Sequence, residues 1–129
     1  MSIKVQGAIL VVDDMMLVRR TIIKHFKELG ASQFIEASSG REAFEKLSRG
    51  TEAVGLALID WSMPDAPGID LLTRLKGETR FKELQVIMMF LDSESEHIKE
   101  ALGKGSNQTL TKPFGPIQIN DVLKKLNLV

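Results

Sequence analysis

The sequence predicts an α/β fold: a doubly wound sheet of five parallel strands, each followed by a helix. Two observations carry that prediction. Short apolar runs alternate with longer stretches of helical period, the pattern left by strands joined through helical crossovers. The runs Ala8–Val12, Leu56–Ile59 and Gln85–Leu91 also carry almost no polar alternation, as expected of central strands covered by helices on both faces.

The elements follow in order. After the strand Ala8–Val12, the residues Val18, Ile22, Phe26 and Leu29 recur at spacings of four, four and three and make one apolar stripe, with Gly30 as its stop. Gln33–Ala37 is the second strand. Ser39 with Glu42 three positions later resembles a capping box, and Ala43, Phe44 and Leu47 give the second helix a buried face before Gly50. The third strand, Leu56–Ile59, precedes a helix over about Ile69–Lys76 that buries Leu71, Leu72 and Leu75. The fourth, Gln85–Leu91, precedes a helix over about Ser95–Leu102 that buries Ile98, Ala101 and Leu102. The fifth, Gln108–Thr111, precedes a helix using Val122, Leu123 and Leu126.

This is a (βα)5 pattern without repeat, linker or charge block. Its expected strand order, 2-1-3-4-5, is carried over from the flavodoxin-like class of doubly wound sheets. Right-handed crossovers in such sheets place ligands beyond the carboxyl ends of the strands. At 129 residues the chain is expected to form one domain over residues 1–129, with no room for a separate effector domain.

Composition narrows the function. Lys plus Arg number 17 and Asp plus Glu number 17, which leaves no positive excess for nucleic acid or an anionic membrane. The absence of Cys removes disulfides, thiolate metal sites and thiol nucleophiles, and fits a reducing compartment. The first apolar run stops at Asp13, too soon for a signal sequence or a membrane span, so a cytoplasmic protein is expected. The sequon Asn107-Gln108-Thr109 carries no weight without a secretion signal.

The strand ends carry the chemistry. Asp13 and Asp14 follow the first strand, Asp60 closes the third, Phe90 lies near the end of the fourth, and Lys112 follows the fifth. With strands one and three as neighbours, three carboxylates share one cleft and repel each other unless a cation offsets them. An oxygen-only donor set suits Mg²⁺ better than zinc or copper. Lys112 can balance the acids or grip a phosphoryl oxygen. Taken singly these residues are ordinary, since aspartates after strands commonly cap helices and loop lysines are commonly solvated. Their convergence is the signal.

Three blocks in order carry a family resemblance: Leu10-Val11-Val12-Asp13-Asp14; Leu58-Ile59-Asp60-Trp61-Ser62-Met63-Pro64 with Gly68-Ile69-Asp70-Leu71-Leu72; and Thr111-Lys112-Pro113-Phe114. Over nearly its whole length the chain resembles the response-regulator receiver family, and within it the single-domain chemotaxis regulators of the CheY type. The resemblance implies that Asp60 is phosphorylated by a partner histidine kinase. It implies that Asp14, Asp60 and the Ser62 carbonyl hold Mg²⁺, that Asp13 acts through water, that Lys112 contacts the acyl phosphate, and that the Lys112–Pro113 bond is often cis. A carboxylate attacks phosphorus poorly while its charge repels the incoming oxygens, so these roles need the metal and the lysine.

One departure stands out. Thirty residues beyond Asp60 and 22 before Lys112, Phe90 occupies the position where receivers carry a Thr or Ser hydroxyl that bonds the phosphoryl group. Thr109 occupies the position of the family's switch aromatic, so large and small residues look exchanged. A hydrogen bond to a charged group is worth about 1.5–3 kcal/mol, so its loss weakens the expected switching by tenfold or more unless Ser93 supplies a hydroxyl. Asp92, Glu94 and Glu96 either add repulsion near the cleft or simply favour a helix N-terminus. Trp61 is expected to shape docking, shield the cleft or pack; His25 and His97 to pack or face solvent; Met15 and Met16 to pack in the core or at its rim.

The leading expectation is therefore a monomeric, stand-alone phosphoacceptor. It signals to a downstream protein through the fourth helix, fifth strand and fifth helix, and is not an enzyme beyond assisting its own phosphorylation and dephosphorylation. The alternative is a receiver-like interaction module whose output is independent of phosphorylation because Phe90 replaces the hydroxyl. A haloacid-type phosphatase would want an acid at Ser62, and no G-x-G-x-x-G or P-loop motif points to nucleotide chemistry.

Overall fold

The five apolar runs form one parallel sheet of order β2-β1-β3-β4-β5, the order expected for the flavodoxin-like class. The structure is a computed structural model describing residues 1–129. Its strands are β1 (Ala8–Val12), β2 (Phe34–Ala37), β3 (Val54–Asp60), β4 (Gln85–Leu91) and β5 (Gln108–Lys112). The helices are α1 (Met16–Glu28), α2 (Gly40–Arg49), α3 (Gly68–Lys76), α4 (Ile98–Gly103) and α5 (Pro116–Lys125), with 3₁₀ turns at Thr79–Phe81 and Asp92–His97.

Period two along each central strand splits the core into two layers. Ile9, Val11, Leu58, Ile87 and Met89 pack under Ile22 and Phe26 of α1 and Leu123 of α5. Leu10, Val12, Ile59, Met88 and Phe90 pack under Leu47 of α2, Leu72 of α3 and Ala101 of α4. All five residues of β1 are buried, which is why that run shows no polar alternation. The second helix begins as its sequence suggests: Ser39 Oγ accepts from the Glu42 N–H at 3.0 Å. The Glu42 carboxylate returns to the Ser38 N–H at 2.6 Å, one residue earlier than in the usual box.

The fourth helix differs most from expectation. Regular helix starts only at Ile98, and Asp92–His97 winds as a 3₁₀ segment with no buried residue. Its charged residues give no apolar stripe to pack. The Glu94 carboxylate instead accepts the Leu91 N–H at 2.8 Å and closes a tight local turn. Leu102, expected inside, is 45% exposed; in this six-residue helix Ala101 is buried in the core and Ile98 packs half-buried against it. Met15 and Met16 are likewise exposed rather than packed.

Leu72 is fully buried at the centre of the α2–α3–α4 layer. Leu72→Ala should lower stability by about 3 kcal/mol, a transfer loss plus a cavity, read as a fall in the urea midpoint at unchanged slope.

Candidate functional site

The alternation that buries Val11, Leu58 and Leu110 in the α1–α5 layer puts Asp13, Asp60 and Lys112 on that same side, two residues further along each strand. They meet at the carboxyl edge of the sheet. The Lys112 ammonium donates to Asp13 Oδ2 at 2.6 Å and to Asp60 Oδ1 at 3.1 Å. Asp13 is fully buried and Asp60 nearly so, whereas Asp14 is exposed. Carboxylate oxygens of Asp13, Asp14 and Asp60 lie within 4.8 Å of one another and could together hold a metal ion. The Lys112–Pro113 bond is cis.

The carboxylates are not equivalent. Asp13 Oδ1 accepts the Met15 N–H at 2.9 Å while its other oxygen takes Lys112, so both its oxygens are engaged by the protein. Burial, followed by the charge of Asp13, pushes the Asp60 carboxyl up from the usual 3.8 to about 6, despite Lys112 pulling the other way. For Lys112, burial alone would lower the ammonium. The hydrogen bond to Asp13 and the charges of Asp60 and Asp13 outweigh it and hold the group above the ordinary lysine value. One lysine against three carboxylates leaves negative charge over, and the donors are all hard oxygens. That combination fits a divalent cation such as Mg²⁺.

The backbone around Asp60 is tightly built. The Trp61 N–H donates to the Met89 carbonyl at 2.8 Å, and the Gly68 N–H to the Trp61 carbonyl at 2.7 Å. Gly68 packs its Cα against the Asp60 carbonyl so closely that any side chain there would collide with it. Ser62, two residues beyond Asp60, is exposed on the connecting loop.

Phe90 is fully buried, and its ring lies 5.3 Å from that of Trp61 at 25°. It is a core residue under the indole. Thr109 is half-buried on β5 in register with Met88. Ser93 is exposed on the 3₁₀ segment. Trp61 itself is 9% exposed and stacked on its outer side by His97, 4.6 Å away at 16°. Both histidines pack, since His25 is buried with Nε2 2.9 Å from Asn120 Oδ1.

Sequence reasoning missed Arg19. Its Nη1 donates to the Asp13 carbonyl at 2.7 Å and its Nε to Glu36 at 3.1 Å, fastening the loop that carries the acids to α1 and β2. No spacing rule marks such a bond, because it depends on a long side chain reaching back to a backbone oxygen.

Fold and site together define a class: a flavodoxin-like α/β domain with a three-aspartate, one-lysine cleft at its strand tips. The chain belongs to the response regulator receiver domain family, whose sequence profile matches residues 9–124. Among curated relatives it is 35% identical over 116 residues to chemotaxis protein CheY1 of Helicobacter pylori, covering 90% of this chain and 93% of that one. It is 33% identical over 118 residues to chemotaxis protein CheY-3 of Vibrio cholerae, covering 92% and 89%. Among solved structures, the Vibrio cholerae chemotaxis response regulator CheY4 superposes with a TM-score of 0.82 at 22% identity, covering 94% of this chain and 98% of that one. No helix is long and apolar enough to cross a membrane.

The raised Asp60 carboxyl makes a pH prediction. The folded chain holds that proton more tightly (about 6) than an unfolded one (3.8), so the stability it lends is complete below pH 3.8 and lost as pH rises through 6. Asp60→Asn should therefore stabilise the protein at pH 8, by at most about 3 kcal/mol, since the amide also weakens the contact with Lys112. The gain should shrink toward pH 4. Urea midpoints of both proteins across that range decide it, and a less stable variant at pH 8 would contradict it.

Proposed function

We propose that this chain is a stand-alone two-component response regulator whose Asp60 accepts a phosphoryl group from a histidine kinase, and that its output serves chemotaxis. The observation carrying this reading is the Lys112 ammonium bridging Asp13 and Asp60 beside exposed Asp14. The similarity to curated chemotaxis proteins supports the chemotactic part.

In the proposed reaction an Asp60 oxygen forms the new O–P bond as the P–N bond of the donor phosphohistidine breaks, and the released imidazole takes up a proton. Lys112, within reach of Asp60, offsets the charge of the incoming phosphoryl oxygens. Asp14, Asp60 and the Ser62 carbonyl would hold Mg²⁺, which when bound supplies further charge neutralisation. Asp13, with both oxygens already taken by Met15 and Lys112, suits the outer, water-mediated role. The downstream partner is a protein reading α4, β5 and α5.

The second reading, an interaction module independent of phosphorylation, is favoured by one observation: Phe90 is buried core and offers the cleft no hydroxyl. Incubation with Mg²⁺ and a small acyl phosphate donor separates the two. The first predicts a mass gain of one phosphoryl group located on Asp60, dependent on Mg²⁺ and absent from Asp60→Asn. No gain at high donor concentration would leave the second.

A further inference from the structure

Phe90, Trp61 and His97 form a continuous three-ring stack that runs from the core to the surface. Phe90 is wholly buried, Trp61 is 9% exposed, and His97 is half-buried with Glu96 and Glu100 carboxylates 3.6 and 3.8 Å from its ring nitrogens. The central residue, Trp61, follows Asp60 in the chain, and its backbone N–H is bonded to the Met89 carbonyl of β4. The outer ring is the last residue of the Asp92–His97 segment, which leads without a break into α4.

That segment has little else to hold it. None of its residues is buried, and its hydrogen bond to the preceding strand, Glu94 to the Leu91 N–H, is local. His97 is the member whose ring packs on the body of the protein. On its inner side Trp61 meets a ring locked in the core, whereas on its outer side it meets one that can leave into solvent. A disturbance at Asp60 that moves the indole therefore has one soft direction, toward His97.

We propose that the Phe90–Trp61–His97 stack is the coupling element of this chain: it carries the state of Asp60 to the Asp92–Gly103 segment, in place of a hydroxyl pulled toward the phosphoryl group. This rests on the reading of Asp60 as the acceptor. The two states are His97 stacked, with the segment pinned, and His97 released, with the segment free to change the α4 surface. A phosphoryl group alters local charge by about −1.5 to −2, by analogy with the phosphorylated hydroxyl amino acids, and the groups around it must shift. An aromatic pair shifts a two-state equilibrium by about tenfold at most. The device is therefore poised rather than locked.

Wild type, His97→Ala and His97→Phe are compared by amide hydrogen exchange over residues 92–103, with Mg²⁺ alone and with Mg²⁺ plus beryllofluoride. Emission of the single tryptophan, Trp61, is followed in parallel. In wild type, beryllofluoride should speed exchange in the segment by up to about tenfold. His97→Ala should already exchange at the faster rate with Mg²⁺ alone and respond no further, while His97→Phe, which restores a ring, should behave as wild type. A beryllofluoride response in His97→Ala as large as in wild type would overturn the coupling. Mass spectrometry with a small phosphodonor runs on the same three proteins. A phosphoryl gain on Asp60 with an unaltered segment response in His97→Ala overturns the coupling alone, and no gain in any of them overturns the acceptor reading and the coupling with it.

Discussion

One ammonium group organises the functional end of the molecule. Lys112, at the tip of β5, spans to carboxylates at the ends of β1 and β3, and these strands lie adjacent only because the chain crosses over to the order β2-β1-β3-β4-β5. Without that cation two nearly buried aspartates would face each other unscreened, a costly arrangement at low dielectric. With it they are tolerated but not satisfied, as the upward push on the Asp60 carboxyl records. The site is held in a state of residual negative charge, which is the condition for attracting a hard cation and for keeping a carboxylate reactive.

The parity of the strands divides the labour around this centre. Residues in one phase of β1, β3 and β5 give the acids and the lysine on the α1–α5 side. Residues in the opposite phase of β3 and β4 give Trp61 and Phe90, which extend the α2–α3–α4 core up to the rim of the cleft. The polar chemistry and the aromatic packing therefore share a strand end yet occupy opposite faces. A change at Asp60 reaches the α4 side through the backbone of the next residue, whose N–H and carbonyl are fixed to Met89 and Gly68.

Much of this was legible in the sequence. β1 and β4 match their apolar runs residue for residue, because strands buried on both faces leave no room for polar interruptions. β3 begins two residues earlier than expected and β5 ends at Lys112 rather than Thr111, since pairing with neighbours rather than apolar content sets those ends. Asp13, Asp14, Asp60 and Lys112 were legible as a group because each closes or follows a strand, and topology does the rest. Arg19 and His97 were not. Arg19 acts through a backbone oxygen of Asp13, and His97 acts through a ring contact that exists only because Asp92–His97 winds as 3₁₀ and brings residue 97 over Trp61.

That winding also bears on Phe90. A small hydroxylated residue at this position would leave the inner face of Trp61 without its aromatic neighbour, whereas Phe90 fills the space and stacks. The half-buried Thr109 on β5 then needs no large ring of its own, and volume gained on one strand is given up on the other. The large residue at position 90 and the small one at position 109 thus read as one packing solution on the α4 side. It puts the aromatic mass on the inner strand β4, beside the end of β3 that carries Asp60, and not on the edge strand β5. An aromatic group so placed sits directly against Trp61, the residue that follows Asp60, so a displacement of the Asp60 backbone meets a packed ring at its first step.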